Sequence, residues 1–400
     1  MKKFVLFIFL FGITWLLAAQ SRKCGTGLIK VPSASARTTP YPAVSAATPT
    51  NPVSGILTIP VVVHIISNPD MPYITDEQVY SQIEVLNEDF RKKWGTDGYN
   101  TNPVGVDVEI EFQLADRDPE GAISSGITRT SYNKKNWTIL NDSFLKSLSY
   151  WPSDQYLNIW VTSVSSDYMA WSQFPQVSSY QGLVPPYGAE TDGVVIDYKY
   201  FGRTGTAIYP YDLGRSATHE IGHWLGLLHI WGDSDCGDDY VADTPQDMAP
   251  NYSGTCIDSS DCNNDGKYTR DMASNYLDYS DDACMHVFTQ GQKDRMRNVF
   301  KLNARRNALL SSPAITATRN LVAENVIVSP NPASRQVTIN FFSSHSGSAT
   351  LVNELSIPVS SMSFVASKQV SVPLTTIPSG IYFLMVETEK GKLLRKIVKQ

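Results

Sequence analysis

Apolar and polar residues follow two different rhythms in the first part of the chain. The run ILTIPVVVHII from Ile56 is almost continuously apolar, which predicts a buried strand. The segment TDEQVYSQIEVLNEDF follows it, and Thr75 and Gln78 at its start have the spacing of a helix-capping pair. Its apolar positions recur with helical spacing and share one face: Val79, Ile83, Leu86 and Phe90. We therefore expect a strand followed by a long amphipathic helix.

Further segments before residue 200 also predict strands. Apolar residues occupy every second position from Val106 to Leu114, as in a half-buried strand. The apolar runs YLNIWV from Tyr156 and GVVIDY from Gly193 come next. A strand, a long helix and then several strands indicate a mixed α/β domain, which we assign to residues 55–310.

The pattern changes after Leu310. SSPAITATRN predicts a linker at residues 311–323, and the remaining residues 324–400 predict strands alone. VTINFF alternates from Val337, SVPL and GIYFLMVET continue the alternation, and Pro and Gly mark the turns. The fold class is therefore an α/β (α+β) domain followed by a small all-β sandwich.

The first 54 residues do not belong to either pattern. Lys2 and Lys3 precede the apolar run 4–17 and two small alanines, which is the order of a secretory signal peptide, so residues 1–19 are predicted to direct export. Residues 20–54 are rich in Ser, Thr, Pro and Ala and cannot bury much surface. We interpret them as a pro-segment, with a plain linker as the alternative.

Composition excludes some classes of protein. A net charge of -6 with 18% charged residues provides no extended basic face, so a nucleic-acid partner is not expected. After the signal peptide, no stretch has the length of a membrane-spanning helix, so no transmembrane segment is expected. Export permits disulfides among four of the five cysteines, Cys236, Cys256, Cys262 and Cys284, and leaves Cys24 over. Sequence alone allows all three pairings of these four.

The segment HEIGHWLGLLHIWG predicts a metal site. His219 and His223 lie one turn apart on a helix and face the same side, where two imidazoles can bind one zinc ion. Glu220 points to the same cleft and can take a proton from metal-bound water. Gly226 permits a sharp turn that brings His229 round as a third ligand, which leaves a fourth position open, as in catalytic zinc.

A helix that is merely rich in histidine is the alternative, but the full HExxHxxGxxH pattern is far more specific than HExxH. With it, the chain resembles the metzincin metallopeptidases, and within them the pappalysin group. The segments HEIGHWLGLLHIWGD, DDYVADTP and SNYLDYSDDACMHVFTQGQ carry the resemblance, which extends over about residues 55–305. It implies a two-lobed catalytic domain, in which the active-site helix ends the upper lobe at Gly226 and an irregular lower lobe carries the rest of the site.

The resemblance assigns roles to three residues of the lower lobe. The family has a methionine turn beneath the zinc, and NYLDY matches it with Leu277 at the methionine position. This is a departure, but Leu for Met conserves volume and is expected to cost less than about 1.5 kcal/mol. Tyr279 matches the tyrosine that stabilises the tetrahedral intermediate. Asp282 matches the base of the pocket after the scissile bond, which implies cleavage on the amino side of Arg or Lys. A buried structural tyrosine and a plain turn carboxylate are the alternatives.

The resemblance also implies structural supports for that lobe. Asp239 and Thr244, with the Val241 carbonyl, match calcium ligands, the alternative being a solvated acidic loop. The pairing implied for the cysteines is Cys236 with Cys262 and Cys256 with Cys284.

Cys24 lies in RKCGTG, which resembles the cysteine-switch segment of metzincin zymogens. In such a zymogen a thiolate occupies the open zinc position and excludes water. An idle thiol and a lipid anchor are the alternatives.

The C-terminal residues carry a second resemblance. IVSPNPAS and IPSGIYFLMVETEKGKLLRKIVKQ are similar to the C-terminal sorting domain of the type IX secretion system of Bacteroidetes, over roughly residues 324–400. This implies that the type IX machinery is a partner and that the protein crosses the outer membrane and is secreted or attached to the cell surface.

Together these motifs and resemblances predict a secreted zinc-dependent endopeptidase, made as a zymogen, that acts on protein and peptide substrates. We expect a monomer with catalytic Zn²⁺ and structural Ca²⁺. A zinc-containing surface adhesin without catalysis is the alternative, although a binding module has no need of Glu220 as a general base.

Overall fold

The computed structural model describes residues 23–26, 55–183, 188–252, 254–257, 259–263, 266–315, 326–353, 357–388 and 391–400. The chain divides into two compact units, with the boundary between residues 315 and 316. The predicted signal peptide lies outside the described residues, as does most of the predicted pro-segment. Within the described part of the chain, no helix is both long enough and apolar enough to cross a bilayer.

A mostly parallel six-stranded sheet forms the body of the first unit. Its order is β2-β1-β4-β6-β5, and β3 also pairs with β1 beyond β2. Strand β5 is antiparallel to its neighbour and lies at the end of this order. The strands are β1 Leu57–Ser67, β2 Ile110–Leu114, β3 Ile127–Ser131, β4 Leu157–Thr162, β5 Ala170–Ser172 and β6 Gly193–Asp197.

Within its described residues, the first unit also contains five helices, of which two fall between strands of the sheet and three follow its last strand along the chain. They are α1 Asp76–Phe90, α2 Asp142–Ser147, α3 Arg215–Trp224, α4 Gln290–Leu302 and α5 Ala304–Leu309, with short 3₁₀ turns at Ile139–Asn141, Ala189–Thr191 and Tyr198–Tyr200. Between α3 and α4 the described residues are irregular except for two short paired strands, β7 Ser259–Ser260 and β8 Thr269–Arg270.

Local sequence accounts for several of these elements. Thr75 caps α1 by accepting the Gln78 N–H at 3.2 Å, which is one half of the predicted capping pair. The Gln78 amide instead donates to the Phe201 carbonyl at 2.8 Å. Strand β2 begins only at Ile110, although alternation starts at Val106, because the N–H of Val106 is donated to the Phe288 carbonyl, outside the sheet.

The second unit is one antiparallel sheet, ordered β11-β10-β12-β13 with β9 paired to β10. Register shifts near His345 interrupt the pairing of β10 with β11, and such bulges bend long strands. Side chains from both halves of β10, such as Ile339 and Leu351, consequently share one buried core, which gives the all-β sandwich predicted for this region. The strands are β9 Ile327–Ser329, β10 Gln336–Asn353, β11 Pro358–Pro373, β12 Gly380–Thr388 and β13 Gly391–Lys399.

Candidate active site

Helix α3 and the turn after it bring three histidines together. His219 and His223 lie one turn apart on α3, which ends at Trp224. Gly226 then adopts a φ of +88°, the left-handed conformation that glycine tolerates best, and reverses the chain toward His229. The three Nε2 atoms lie 3.1, 3.1 and 3.2 Å apart, and all three rings are buried.

Each histidine ring is held through its other nitrogen. A backbone carbonyl or a carboxylate can accept a hydrogen bond but cannot donate one, so each Nδ1 carries the proton and each Nε2 presents its lone pair. Burial also lowers the pKa of His223 to about 3, which keeps that ring neutral. The acceptors are the Tyr276 carbonyl at 2.7 Å for His219, the Leu227 carbonyl at 2.8 Å for His223 and the Asp233 carboxylate at 2.5 Å for His229.

This arrangement fits a tetrahedral metal ion. Three lone pairs that converge in a buried space repel one another unless a cation lies between them. Ligand bonds of 2.0–2.1 Å at tetrahedral angles separate neighbouring nitrogens by about 3.3 Å, close to the distances found here. The three histidines therefore fit a metal ion bound through Nε2.

Cys24 lies in the same cluster. Its Sγ and one nitrogen from each histidine all lie within 4.8 Å of one another. The surrounding segment runs beside β5, where the Gly25 N–H is donated to the Ala170 carbonyl and the Met169 N–H to the Lys23 carbonyl. Cys24 is buried and is not part of a disulfide.

Glu220 is fully buried next to this cluster. The Thr26 hydroxyl donates a hydrogen bond to its Oε2 at 2.8 Å, and the Ser172 hydroxyl lies 3.1 Å from Thr26 Oγ1. Burial raises the pKa of Glu220, whereas the surrounding hydrogen-bonding side chains oppose that rise.

Tyr279 faces the histidines from the lower lobe. Its ring is perpendicular to that of His229, with centroids 5.0 Å apart, and its hydroxyl accepts the Cys24 N–H at 3.1 Å. Burial raises the pKa of Tyr279 well above its usual range, so the phenol keeps its proton at neutral pH. Tyr279 is therefore a hydrogen-bond donor that faces the three histidines.

Leu277, which the family resemblance aligns with the methionine position, is completely buried. A Cβ built at Gly222, between the two histidines of α3, would lie only 2.9 Å from Leu277 Cδ2. Leu277 thus packs directly against the backbone of the helix. The preceding residue, Tyr276, supplies the carbonyl that holds His219.

Asp282 lies at the beginning of α3 rather than beside the histidines. Its Oδ2 accepts the N–H groups of Leu213 at 2.9 Å and Arg215 at 3.2 Å, and the residue is completely buried. The carboxylate therefore anchors the start of the active-site helix, a structural role that the sequence did not indicate.

The residues expected to bind calcium gather at a separate place. Thr244 Oγ1 lies 2.9 Å from Asp239 Oδ2 and 2.8 Å from the Val241 carbonyl oxygen. Burial raises the pKa of Asp239 to about 6. The disulfides Cys236–Cys262 and Cys256–Cys284 are present and have the pairing that the family resemblance implies.

Sequence reasoning missed three residues that contact the cluster. Asp233 follows His229 by four positions, and this spacing was the one available signal for its contact with the ring. Thr26 and Ser172 carried no such signal, because their contacts with Glu220 span 194 and 48 positions of the chain.

Known proteins match both units. Residues 140–301 match the peptidase family described as pregnancy-associated plasma protein-A. An extracellular metalloprotease of Coccidioides posadasii is 31% identical over 57% of this chain and 70% of its own length. The chain belongs to the pappalysin family of metallopeptidases. It is a metalloendopeptidase with a catalytic metal, which sets aside the non-catalytic adhesin.

Solved structures agree with this assignment. Mature mirolysin of Tannerella forsythia in complex with a cleaved peptide is 42% identical, with a TM-score of 0.56, over 64% of this chain and 96% of that one. A promirolysin variant of the same organism is 40% identical, with a TM-score of 0.57, over 66% of this chain and 87% of that one. The mixed α/β unit is thus a metzincin-like catalytic domain.

Residues 328–400 match the family of secretion system C-terminal sorting domains. This match and the extracellular relatives indicate that the pappalysin is secreted or held at the cell surface, with the secretion machinery as a partner and proteins as substrates.

Proposed function

We propose that this pappalysin is a zinc endopeptidase in which His219, His223 and His229 bind the metal. The convergence of three unprotonated Nε2 atoms at 3.1–3.2 Å supports this most directly. Imidazole and thiolate donors in a tetrahedral arrangement favour zinc over hard cations such as Ca²⁺. With three ligands from the body of the enzyme, the fourth position is available to water and substrate once Cys24 leaves.

The chain's own groups then carry the proton transfers. A zinc ion held by the histidines supplies a Lewis acid that polarises the scissile carbonyl and acidifies water. Glu220 accepts a proton from the attacking water and delivers it to the leaving amine. Tyr279 donates its phenolic hydrogen to the oxygen on which negative charge develops.

Metal content and hydrolysis of Arg-containing peptides by pro-segment-free protein test this proposal. We expect one zinc per chain, loss of cleavage with a chelator and loss of cleavage in Glu220→Gln. Glu77→Gln, which changes an exposed glutamate of α1, is the matched control and should cleave normally. Cleavage by Glu220→Gln at the parent rate would overturn the role of Glu220.

We further propose that the enzyme is made as a cysteine-switch zymogen, with residues 20–54 as the pro-segment. The buried Cys24 Sγ and one nitrogen of each histidine lie within 4.8 Å of one another, and the Cys24 N–H donates a hydrogen bond to the Tyr279 hydroxyl. Thr26 engages Glu220 at the same time. The four residues 23–26 therefore contact the metal ligands, the general base and the oxyanion donor together.

Cleavage on the amino side of Arg or Lys is the proposed specificity, with Asp282 as the determinant. A completely buried carboxylate favours a guanidinium or ammonium partner. Because Asp282 also anchors α3, the informative quantity is the ratio of kcat/KM between matched Arg and Leu peptides. Asp282→Asn should lower this ratio about 10–100-fold, whereas the half-buried neighbour Asp281→Asn should not. An unchanged ratio would refute the assignment.

Structural calcium is proposed at Asp239, Thr244 and the Val241 carbonyl. Thr244 Oγ1 lies within 3.0 Å of both Asp239 carboxylate oxygens and of the Val241 carbonyl oxygen. Hard cations favour such oxygen donors. Calcium should raise the melting temperature of the parent and of Asp238→Asn, an exposed neighbour, but not that of Asp239→Asn. An equal rise in all three proteins would contradict the site.

The proposed domain organisation is signal peptide 1–19, pro-segment 20–54, catalytic domain 55–310, linker 311–323 and sorting domain 324–400. The division of the described chain at residues 315 and 316 supports a boundary inside the proposed linker. We propose a monomer, which light scattering of the purified protein would test.

A further inference from the structure

Ser172 lies beside the catalytic carboxylate, on the body of the enzyme. It is the last residue of β5, it is 2% exposed, and its hydroxyl lies 3.1 Å from Thr26 Oγ1, which itself lies 2.8 Å from Glu220 Oε2. A buried hydroxyl requires a partner, and an ionised carboxylate is a stronger acceptor than a neutral group. The metal ligands, the oxyanion donor and the specificity residue assigned above do not include Ser172.

The hydrogen atoms around Glu220 can be counted. Thr26 Oγ1 lies 2.8 Å from Glu220 Oε2 and accepts the Ser172 N–H at 2.8 Å, so its single hydrogen goes to the carboxylate. The hydroxyls of Thr26 and Ser172 lie 3.1 Å apart. The Ser172 hydroxyl is therefore the donor in that contact, and its hydrogen goes to Thr26 Oγ1 while the pro-segment is present.

Removal of the pro-segment changes this balance. Thr26, which donates to Glu220 and accepts from Ser172, belongs to the pro-segment and leaves with it. Ser172 is fixed in β5, which pairs with β6 in the sheet, and therefore stays. Its hydroxyl can then turn fully toward the carboxylate, because the competing Thr26 oxygen is gone.

We propose that Ser172 is a positioning residue for Glu220 in the activated enzyme. It donates a hydrogen bond that fixes the orientation of the carboxylate toward the attacking water. The inference rests on the proposed role of Glu220 as general base. Because Ser172 acts through Glu220 and its side chain is assigned no contact with substrate, its loss should lower kcat and leave KM nearly unchanged.

The expected size follows from the strength of such a bond. A hydrogen bond to a charged group that orients a reacting carboxylate corresponds to roughly a tenfold change in rate. Ser172→Ala should therefore lower kcat about tenfold, whereas Ser172→Thr, which keeps the hydroxyl, should restore most of the rate.

The test uses the full chain activated by limited proteolysis, with kcat and KM measured on one Arg-containing peptide. Zinc content is measured in each variant and should stay at the parent value. Ser216→Ala is the matched control, because Ser216 is also a buried serine, on α3, with no hydrogen-bond partner for its hydroxyl among the described residues. It should keep the parent kcat.

A kcat for Ser172→Ala within twofold of the parent would overturn the proposal. A loss that Ser172→Thr fails to restore, or one that follows loss of zinc, would also overturn it, because either result indicates a packing role. Activity in Glu220→Gln would instead overturn the general-base assignment, so the two failures are distinguishable.

Discussion

A methyl group added at Gly222 tests whether Leu277 supports the helix that carries His219 and His223. The new Cβ would lie 2.9 Å from Leu277 Cδ2 and 3.4 Å from Cδ1, and the shorter distance is below ordinary contact. Leu277 is completely buried, so it cannot move aside into solvent. Gly222→Ala must therefore shift the helix or the turn that contains Leu277.

The cost can be estimated from these contacts. Overpacking of this kind costs about 1–3 kcal/mol, and alanine in place of glycine in a helix returns roughly 0.8–1.0 kcal/mol. Leu277→Ala alone should cost about 2–5 kcal/mol, because it leaves a cavity beneath the helix. In the double variant the new methyl enters part of that cavity. Its cost should therefore be smaller than the sum of the single costs, by about 1–3 kcal/mol.

Denaturant unfolding of the full chain measures these values. All eight tryptophans precede residue 232, so their fluorescence reports on the first unit and not on the sorting domain. The Glu220→Gln background prevents self-cleavage, and zinc is kept constant. Leu277→Met is the matched control and should cost less than about 1.5 kcal/mol. If the two alanine substitutions are additive within about 0.5 kcal/mol, the packing argument is refuted.

Four other substitutions have defined outcomes. Burial and a neighbouring aspartate raise the pKa of Asp247 to about 7, so its ionisation lowers stability as pH rises from about 4 to about 7. Asp247→Asn should raise the unfolding free energy at pH 8 and leave it unchanged at pH 4, and an equal gain at both would contradict this. Asp233→Ala should weaken zinc binding about 10–100-fold in chelator competition, because His229 loses its orienting acceptor; unchanged affinity would count against that role. Cys24→Ala and Thr26→Val should each leave the uncleaved protein partly latent, and the double variant should show most of the activity on a peptide. Full activity in Cys24→Ala alone would exclude an inhibitory role for the contact between Thr26 and Glu220.

Local pattern determined much of this protein. The capping pair at Thr75 and the helical spacing of the apolar residues after it determined α1, because both effects act within one or two turns. The spacing of His219, His223 and His229, with Gly226 between, determined that three imidazoles would converge, since helix geometry and one left-handed residue suffice. Alternation within residues 324–400 likewise predicted a second, all-β unit.

Tertiary structure determined which distant residues lie around those imidazoles and Glu220. The contact between Thr26 and Glu220 joins positions 194 residues apart, and the contact between Cys24 and Tyr279 joins positions 255 apart. No periodicity extends over such distances, so these contacts depend on how the sheet and the lower lobe pack. The anchoring of α3 by Asp282 and the place of Leu277 against Gly222 arise in the same way. The sequence thus determined which groups perform the chemistry, and the packing of distant segments decided which neighbours orient or block them.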